Sequence, residues 1–400
     1  MRCWPPPTTT AGRAPIRGCF LTAALAGWAT AVSGQTTTVD VRDTAGLKAA
    51  CVAAEPGTVI RLAPGDYRPG VYVGGKSGGP GRPIVIEGAD AENPPVFVGG
   101  NEALHFSGCS HLTLRHLVIR GAKQNGLNID DGDRAGSARH VLVENVTVED
   151  VGPRGNHDAI KLSGLDDFAV RGCVARGWGG QGIDMVGCHR GLIEGCSFAG
   201  KEGFTQSAGV QAKGGSREIT IRRCLFDRAG ERGVNAGGST DAQFFRPPEA
   251  AHEAAAITVE GCTFRGGTTP IAFVGVDGAA FRFNTIYDPE KWFCRILQEN
   301  GDLGKCRDGR VDHNLFVFRA QRTQGVNVGP DTKPETFRFT DNFWFAMDDP
   351  AASRQRLPVA EERGVHGIDP RLAALEQGGL EPRTKAAAGY GATALPQARP

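Results

Sequence analysis

Apolar residues return along this chain in a short figure. It runs apolar, any residue, apolar, two spacers, a residue drawn from Leu, Val, Cys or Asn, a spacer, and usually one more apolar residue. The sixth position is filled nine times, by Leu117, Val146, Cys173, Cys196, Cys224, Cys262, Asn284, Asn314 and Asn342, at intervals of 22 to 38 residues. Self-similarity at this period is the signature of a solenoid, in which stacked units bury a continuous core that no single unit could bury alone. A second alternating stretch follows in each unit, with inward pairs Leu127/Ile129, Ile160/Leu162, Ile183/Met185, Val210/Ala212, Val234/Ala236, Ile271/Phe273 and Val326/Val328. Side chains alternate across a strand, so the residue between the members of each pair faces out. The unit containing Cys294 fits the figure poorly and leaves its register open.

Each unit is too short for the four strands of a propeller blade, and the Leu/Asn consensus of leucine-rich repeats is absent. The pattern predicts an all-β fold, a right-handed parallel β-helix, its hand following from the preference of parallel crossovers. Residues 43–54 predict a short amphipathic helix with Asp43 or Thr44 as N-cap and Leu47, Ala50 and Cys51 on one face. Such a helix would cap the open end of the solenoid. Short strands are expected at 59–67 and 83–88. The organisation expected is a signal peptide over 1–34, a cap and first coils over 35–103, regular coils over 104–349, and a partly disordered extension over 350–400. In the first segment Arg13 and Arg17 precede an apolar run from Cys19 to Val32, followed by the small residues Ser33 and Gly34. It implies a secreted or periplasmic protein with no membrane span once the leader is removed.

Composition changes this picture little. Gly at 57 is about twice the usual share, as a chain of frequent turns requires. A net charge of +1 excludes a general nucleic-acid binder. Four cysteines share the ladder position and read as small buried hydrophobes. Cys294 and Cys306, in one long insertion, are the disulfide candidates. A monomer is expected.

The outward positions of the second strand form a row, Asn128, Lys161, Asp184, Gln211, Asn235, Ala272 and Asn327. A second row runs Asp130, Ser163, Val186, Lys213 and Gly237. Outward Lys and Asp on most strands merely keep a face solvated. Here the charges concentrate in the middle coils beside His157, Asp158 and Arg232, flanked by Gly182, Gly209 and Gly233, which leave room for a flat ligand. Arg232 lies two residues before the inward Val234, so strict alternation points it away from the row. Insertions at 239–256, with Phe244, Phe245 and Arg246, and at 287–309, with Trp292 and Phe293, could wall a groove and stack on sugars, or simply cover the solenoid. Asp130, Asp131 and Asp133 with Asp158 suit Ca²⁺, and equally suit an Asp/Gly turn.

The runs PGTVIRLAPGDY and PIVIEG and the segment GVQAKGGSREITIRRCLFDRAGERGVNAGG resemble the right-handed β-helix polysaccharide lyases of the chondroitinase B and alginate lyase type, over about residues 39–345. In that family a strand ending in the catalytic Lys is followed by a tight turn and an apolar-x-apolar-x-x-Asn strand. Lys213 matches the Lys, and Cys224 takes the Asn place. Two family glutamates that help bind calcium fall on Gln206 and Ala208, and the family's catalytic Arg falls near Val234, with Arg232 close by.

The resemblance implies β-elimination on an acidic, uronate-containing polysaccharide. That chemistry needs the C6 carboxylate neutralised, a base for the C5 proton and an acid for the leaving oxygen. Lys213 is the candidate base, with Arg232 a neighbouring cation. Lys161 beside Asp184 suits a charge clamp, and His157 is a candidate acid or base. Asp184, Gln211, Asn235, Asn128, Arg246 and Trp292 are candidate substrate contacts. Two alternatives stand beside the lyase. One is a glycoside hydrolase using Asp158 and Asp184, which an inverting mechanism would hold roughly 6.5–9.5 Å apart. The other is a non-catalytic polysaccharide-binding or surface protein on the same scaffold.

Overall fold

Each coil contributes one strand to each of three parallel sheets, two of twelve strands and one of ten. The computed structural model describes residues 36–374 and 379–397, so the expected leader over 1–34 lies outside the described residues. One twelve-stranded sheet runs from Thr37–Val41 to Arg338–Thr340 and carries the first strand of the repeat. The other runs from Asp66–Tyr67 to Val365–His366. The ten-stranded sheet, from Val71–Gly74 to Val326–Val328, carries the second alternating stretch. The fold is a right-handed parallel β-helix.

The nine ladder residues sit at the corner between the two twelve-stranded sheets, all buried. The residue before each turns the chain with positive φ, as at Asn145, Arg223 and His313. In the first coils the corner is filled by Leu and Val, and in the middle by thiols that point at backbone carbonyls, with Cys173 Sγ 3.4 Å from Arg171 O. In the last coils it is filled by an amide ladder. Asn314 Oδ1 accepts from Asn284 N at 3.0 Å and Nδ2 at 3.1 Å, and Asn342 Oδ1 accepts likewise from Asn314, both at 3.0 Å. Glu361 ends the ladder by accepting from Asn342 Nδ2 at 2.9 Å. Two positions further on, Phe198, Phe226 and Phe264 stack at 4.9 and 4.6 Å between centroids.

The helix spans Thr44–Ala53, with the Asp43 carboxylate accepting from Gly46 N at 2.7 Å. Leu47, Ala50 and Cys51 join the core of the first coils. Two expectations are corrected. Val328 is 40% exposed rather than inward, because the sheet ends there with no coil to cover it. Cys294 and Cys306 are both buried free thiols, so the expected bridge is not formed. Burial pushes Cys306 up to about 11 and Cys294 higher still. Residues 385–395 pack on the last coils. Ala387 is buried in a cluster with Leu315 and Phe343, and Gly391 N bonds His313 O at 3.0 Å.

Candidate functional site

Strand pairing fixes one outer row on the ten-stranded sheet: Tyr72, His105, Asn128, Lys161, Asp184, Gln211, Asn235, Ala272, Arg295 and Asn327, each opposite the next. The seven positions expected from alternation are all in it. Tyr72, His105 and Arg295 were missed, although each stands between two inward residues (Val71/Val73, Leu104/Phe106, Cys294/Ile296) and carries the same signal.

At the centre of the row lies a knot of charge. Asp184 is fully buried and its Oδ2 meets two ammonium groups, that of Lys161 in direct hydrogen bond and that of Lys213 at 3.6 Å. Lys161 Nζ also lies 3.5 Å from Asp158 Oδ2. Burial alone would lower Lys161, but Asp184 and then Asp158 outweigh it and raise it above the usual lysine range. It is a fixed cation. Burial, with the Asp184 charge adding to it, pushes Asp158 up to about 7. Asp158 Oδ1 accepts from Gln181 N at 2.8 Å, tying the site to the next coil. Asp184 Oδ1 and Gln211 Oε1 are buried without a partner among the described residues, the kind of exception that accompanies functional sites.

Arg232 departs from strict alternation. Its backbone pairs with Ala208 and Thr269, yet its guanidinium turns onto the outer face, donating to Asn235 Oδ1 at 3.1 Å and to Glu299 Oε1 at 2.6 Å. Carboxylates on the outer side draw the guanidinium out of a core it could not enter unpaired. Burial, then the Arg232 charge, lowers Arg295, whose Nε donates to Asn327 Oδ1 at 3.0 Å.

The insertions enclose this centre. Glu253, fully buried, accepts from Gly214 N at 3.1 Å, Thr240 N at 2.8 Å, Thr240 Oγ1 at 2.7 Å and Asn300 Nδ2 at 3.1 Å. It clamps both insertions to the turn after Lys213. Gly238 keeps the path of Lys213 clear, since a Cβ there would come 2.6 Å from Gln211 Nε2 and 3.3 Å from the lysine stem. Next to Asn235 the outer face closes locally, with Ala272, Val274 and Leu297 in one buried cluster, before Arg295 and Asn327 resume the polar row.

Other candidates fall elsewhere. The His157 ring lies against Gly152 and Gly155 of its own loop. Arg246 reaches back across the coils to Asp131 and Asp133, both at 3.3 Å, and is a strut of the insertion. Trp292 is half-buried, with Lys291 at 4.3 Å and the row residue Arg295 at 4.4 Å from its ring, and Phe293 is buried against Phe318 and Trp344. Phe293 covers the solenoid. Asp130 accepts from Ser107 Oγ at 2.6 Å and Gly132 N at 2.8 Å, and pairs with His105 at 2.5 Å. The pair with Asp130, then Glu102, pushes His105 up to about 9. Asp130 and Asp158 therefore do not combine into a metal site. Gln206, at one position where the calcium-site glutamates would stand, folds its amide onto Lys201 and Phe204, and Ala208 offers no oxygen beyond its backbone. The residues present do not fit that metal, and no group of three His, Cys, Asp or Glu suited to one occurs among the described residues. No described helix is long and apolar enough to cross a membrane.

These features define a β-helix protein with a recessed, cation-rich outer row. The family described as right handed beta helix region matches residues 102–246. No curated protein matches the sequence. Among solved structures, an alginate lyase from Paenibacillus sp. strain FPU-7 is similar with TM-score 0.51 at 18% identity, covering 74% of this chain and 97% of that one. The A-module of the mannuronan C-5 epimerase of Azotobacter vinelandii is similar with TM-score 0.51 at 17% identity, covering 84% and 94%. At these identities the likeness is one of fold.

Proposed function

We propose that the protein is an exported carbohydrate-active enzyme that cleaves a uronate-containing polysaccharide by β-elimination on the outer row, with Lys213 as the base. The observation that carries this reading is the shared carboxylate: Lys161 and Lys213 both reach Asp184, and Lys161 holds it more closely. Lys161, bound also to Asp158, stays a cation. Lys213, farther from the carboxylate, is the lysine assigned as the base. Arg232 and Asn235 supply donors for the C6 carboxylate, whose neutralisation makes the C5 proton removable. Lys213 in its neutral form takes that proton, the electron pair forms the C4–C5 double bond, and the C4–O bond breaks as its oxygen takes a proton from the newly formed Lys213 ammonium or from water. The two similar solved proteins are named for reactions on uronate polymers, which supports the substrate class.

The hydrolase reading is weaker. One ammonium touches both Asp158 and Asp184, which draws the carboxyls closer than the roughly 6.5–9.5 Å of an inverting pair. Both are also buried beneath that ammonium.

The test is a panel of uronate polymers, read for the ultraviolet absorbance of an unsaturated uronate end. Lys213→Ala is expected to abolish the signal while the circular dichroism is retained. Full activity in that variant would remove Lys213 from the mechanism. Reducing ends without the absorbance would replace the lyase with a hydrolase, and C5 proton exchange without cleavage would replace it with an epimerase.

A further inference from the structure

Five rungs from the Gln211 coil, toward the N-terminal end, the row ends on an exposed aromatic. Tyr72 is 62% exposed and packs edge-on to His105, with centroids 5.1 Å apart. At about 4.8 Å per rung it lies roughly 24 Å from Gln211 along the helix axis. Its hydroxyl rests over Gly74, where a Cβ would come within 3.2 Å of it. The next residue, Gly75, borders a cleft of about 320 Å³ lined by Ser77, Ser110, Ser137, Arg134 and Arg139.

The cleft is built for an anion. Neither Arg134 nor Arg139 has a hydrogen bond or ion pair with a described carboxylate, because the nearby acids are taken. Asp131 and Asp133 pair with Arg246, and Asp167 is held by Arg190 at 2.7 and 3.0 Å. The His111–His140 ring pair, with centroids 4.5 Å apart, adjoins the cleft, and burial first, then the charges of His140 and Arg139, lowers His111. Ser77 Oγ accepts from Ser110 N at 3.2 Å, which leaves its own hydrogen to donate. Gly75, Gly108 and Gly136 all have positive φ and no Cβ to fill the cleft, and a Cβ on Gly108 would strike Arg134 Nη2 at 2.7 Å. Two forked guanidiniums with hydroxyl donors suit a planar carboxylate or a sulfate ester.

We propose that this cleft and Tyr72 form a distal subsite that binds an anionic sugar unit, the ring on Tyr72 and the carboxylate or sulfate between Arg134 and Arg139. It deepens the polysaccharide reading but does not depend on cleavage. The full chain is titrated with oligogalacturonate, with heparin oligosaccharide as the sulfated probe and with a neutral cello-oligosaccharide, by calorimetry. The wild-type protein is expected to bind at least one charged probe and not the neutral one. Arg134→Ala with Arg139→Ala is expected to weaken that binding about tenfold or more, and Tyr72→Ala to weaken it less. The probe that loses affinity identifies carboxylate or sulfate. Unchanged affinity in the double variant, or no charged probe bound by wild type, overturns the proposal. A protein that binds through the arginines but turns over no polymer would refute the elimination chemistry and leave the subsite standing.

Discussion

Lys213 Nζ lies 3.6 Å from Asp184 Oδ2, and that carboxylate, with no exposed surface, is the common counter-ion of both lysines in the row. Removing it strands two cations in a recessed site. Asp184→Asn is expected to cost about 3–5 kcal/mol of stability, as breaking buried pairs does. Adding Lys161→Gln should restore part of the loss. Urea unfolding at neutral pH measures both, and additive losses would show that the lysines do not share the charge.

Asp158 should make stability fall as pH rises. Its folded-state value is raised from 3.8 to about 7, so between those values the folded protein holds a proton that the unfolded chain has released. Stability contributed by that proton is present below about 4 and lost by about 7. Asp158→Asn should flatten this slope. An unchanged slope would mean that Asp158 ionises normally.

His105 gives the same direction in a higher window. Its value is raised from 6.5 to about 9 by Asp130 and Glu102, so its ion pairs stabilise fully below 6.5 and fade as pH rises through 9. His105→Gln should cost on the order of 1 kcal/mol at pH about 6 and little at pH about 10. Thermal unfolding at the two values provides the comparison.

Arg232 is held by Glu299 at 2.6 Å, a carboxylate standing where a substrate carboxylate would bind. Glu299→Gln should leave Arg232 in place through Asn235 and lower KM for an anionic substrate several-fold, with a smaller change in kcat. Arg232→Ala should raise KM and lower kcat, since it removes a donor that neutralises the C6 carboxylate as the C5 proton leaves.

In the ladder, Asn314 donates to Phe281 O at 2.8 Å and to Asn342, and accepts from Asn284. Asn314→Ala orphans several buried groups and should cost about 2–4 kcal/mol. Cys224→Val, which keeps an apolar filler of similar size, should cost less than about 1.5 kcal/mol. Chemical denaturation ranks the two.

Repetition made the fold legible. The ladder from Leu117 to Asn342 and the alternation of the second strand leave one register, because a slip by one residue would expose every inward pair. The outer row follows from that register, and Lys161, Asp184, Gln211 and Asn235 could be named in advance. Tyr72, His105 and Arg295 were equally readable, but they lie where the coils are irregular and the figure is weak.

The sequence alone settled the architecture, because period and alternation are local properties that the stacking of coils only repeats. Contacts between coils and insertions, made across tens to more than a hundred residues, were settled by the tertiary structure. Those contacts turn Arg232 outward to Glu299, draw Arg246 back to Asp131 and leave the Cys294 and Cys306 thiols free. A long charged side chain goes where an opposite charge can be reached, and which charges are in reach depends on how the loops fold over the solenoid.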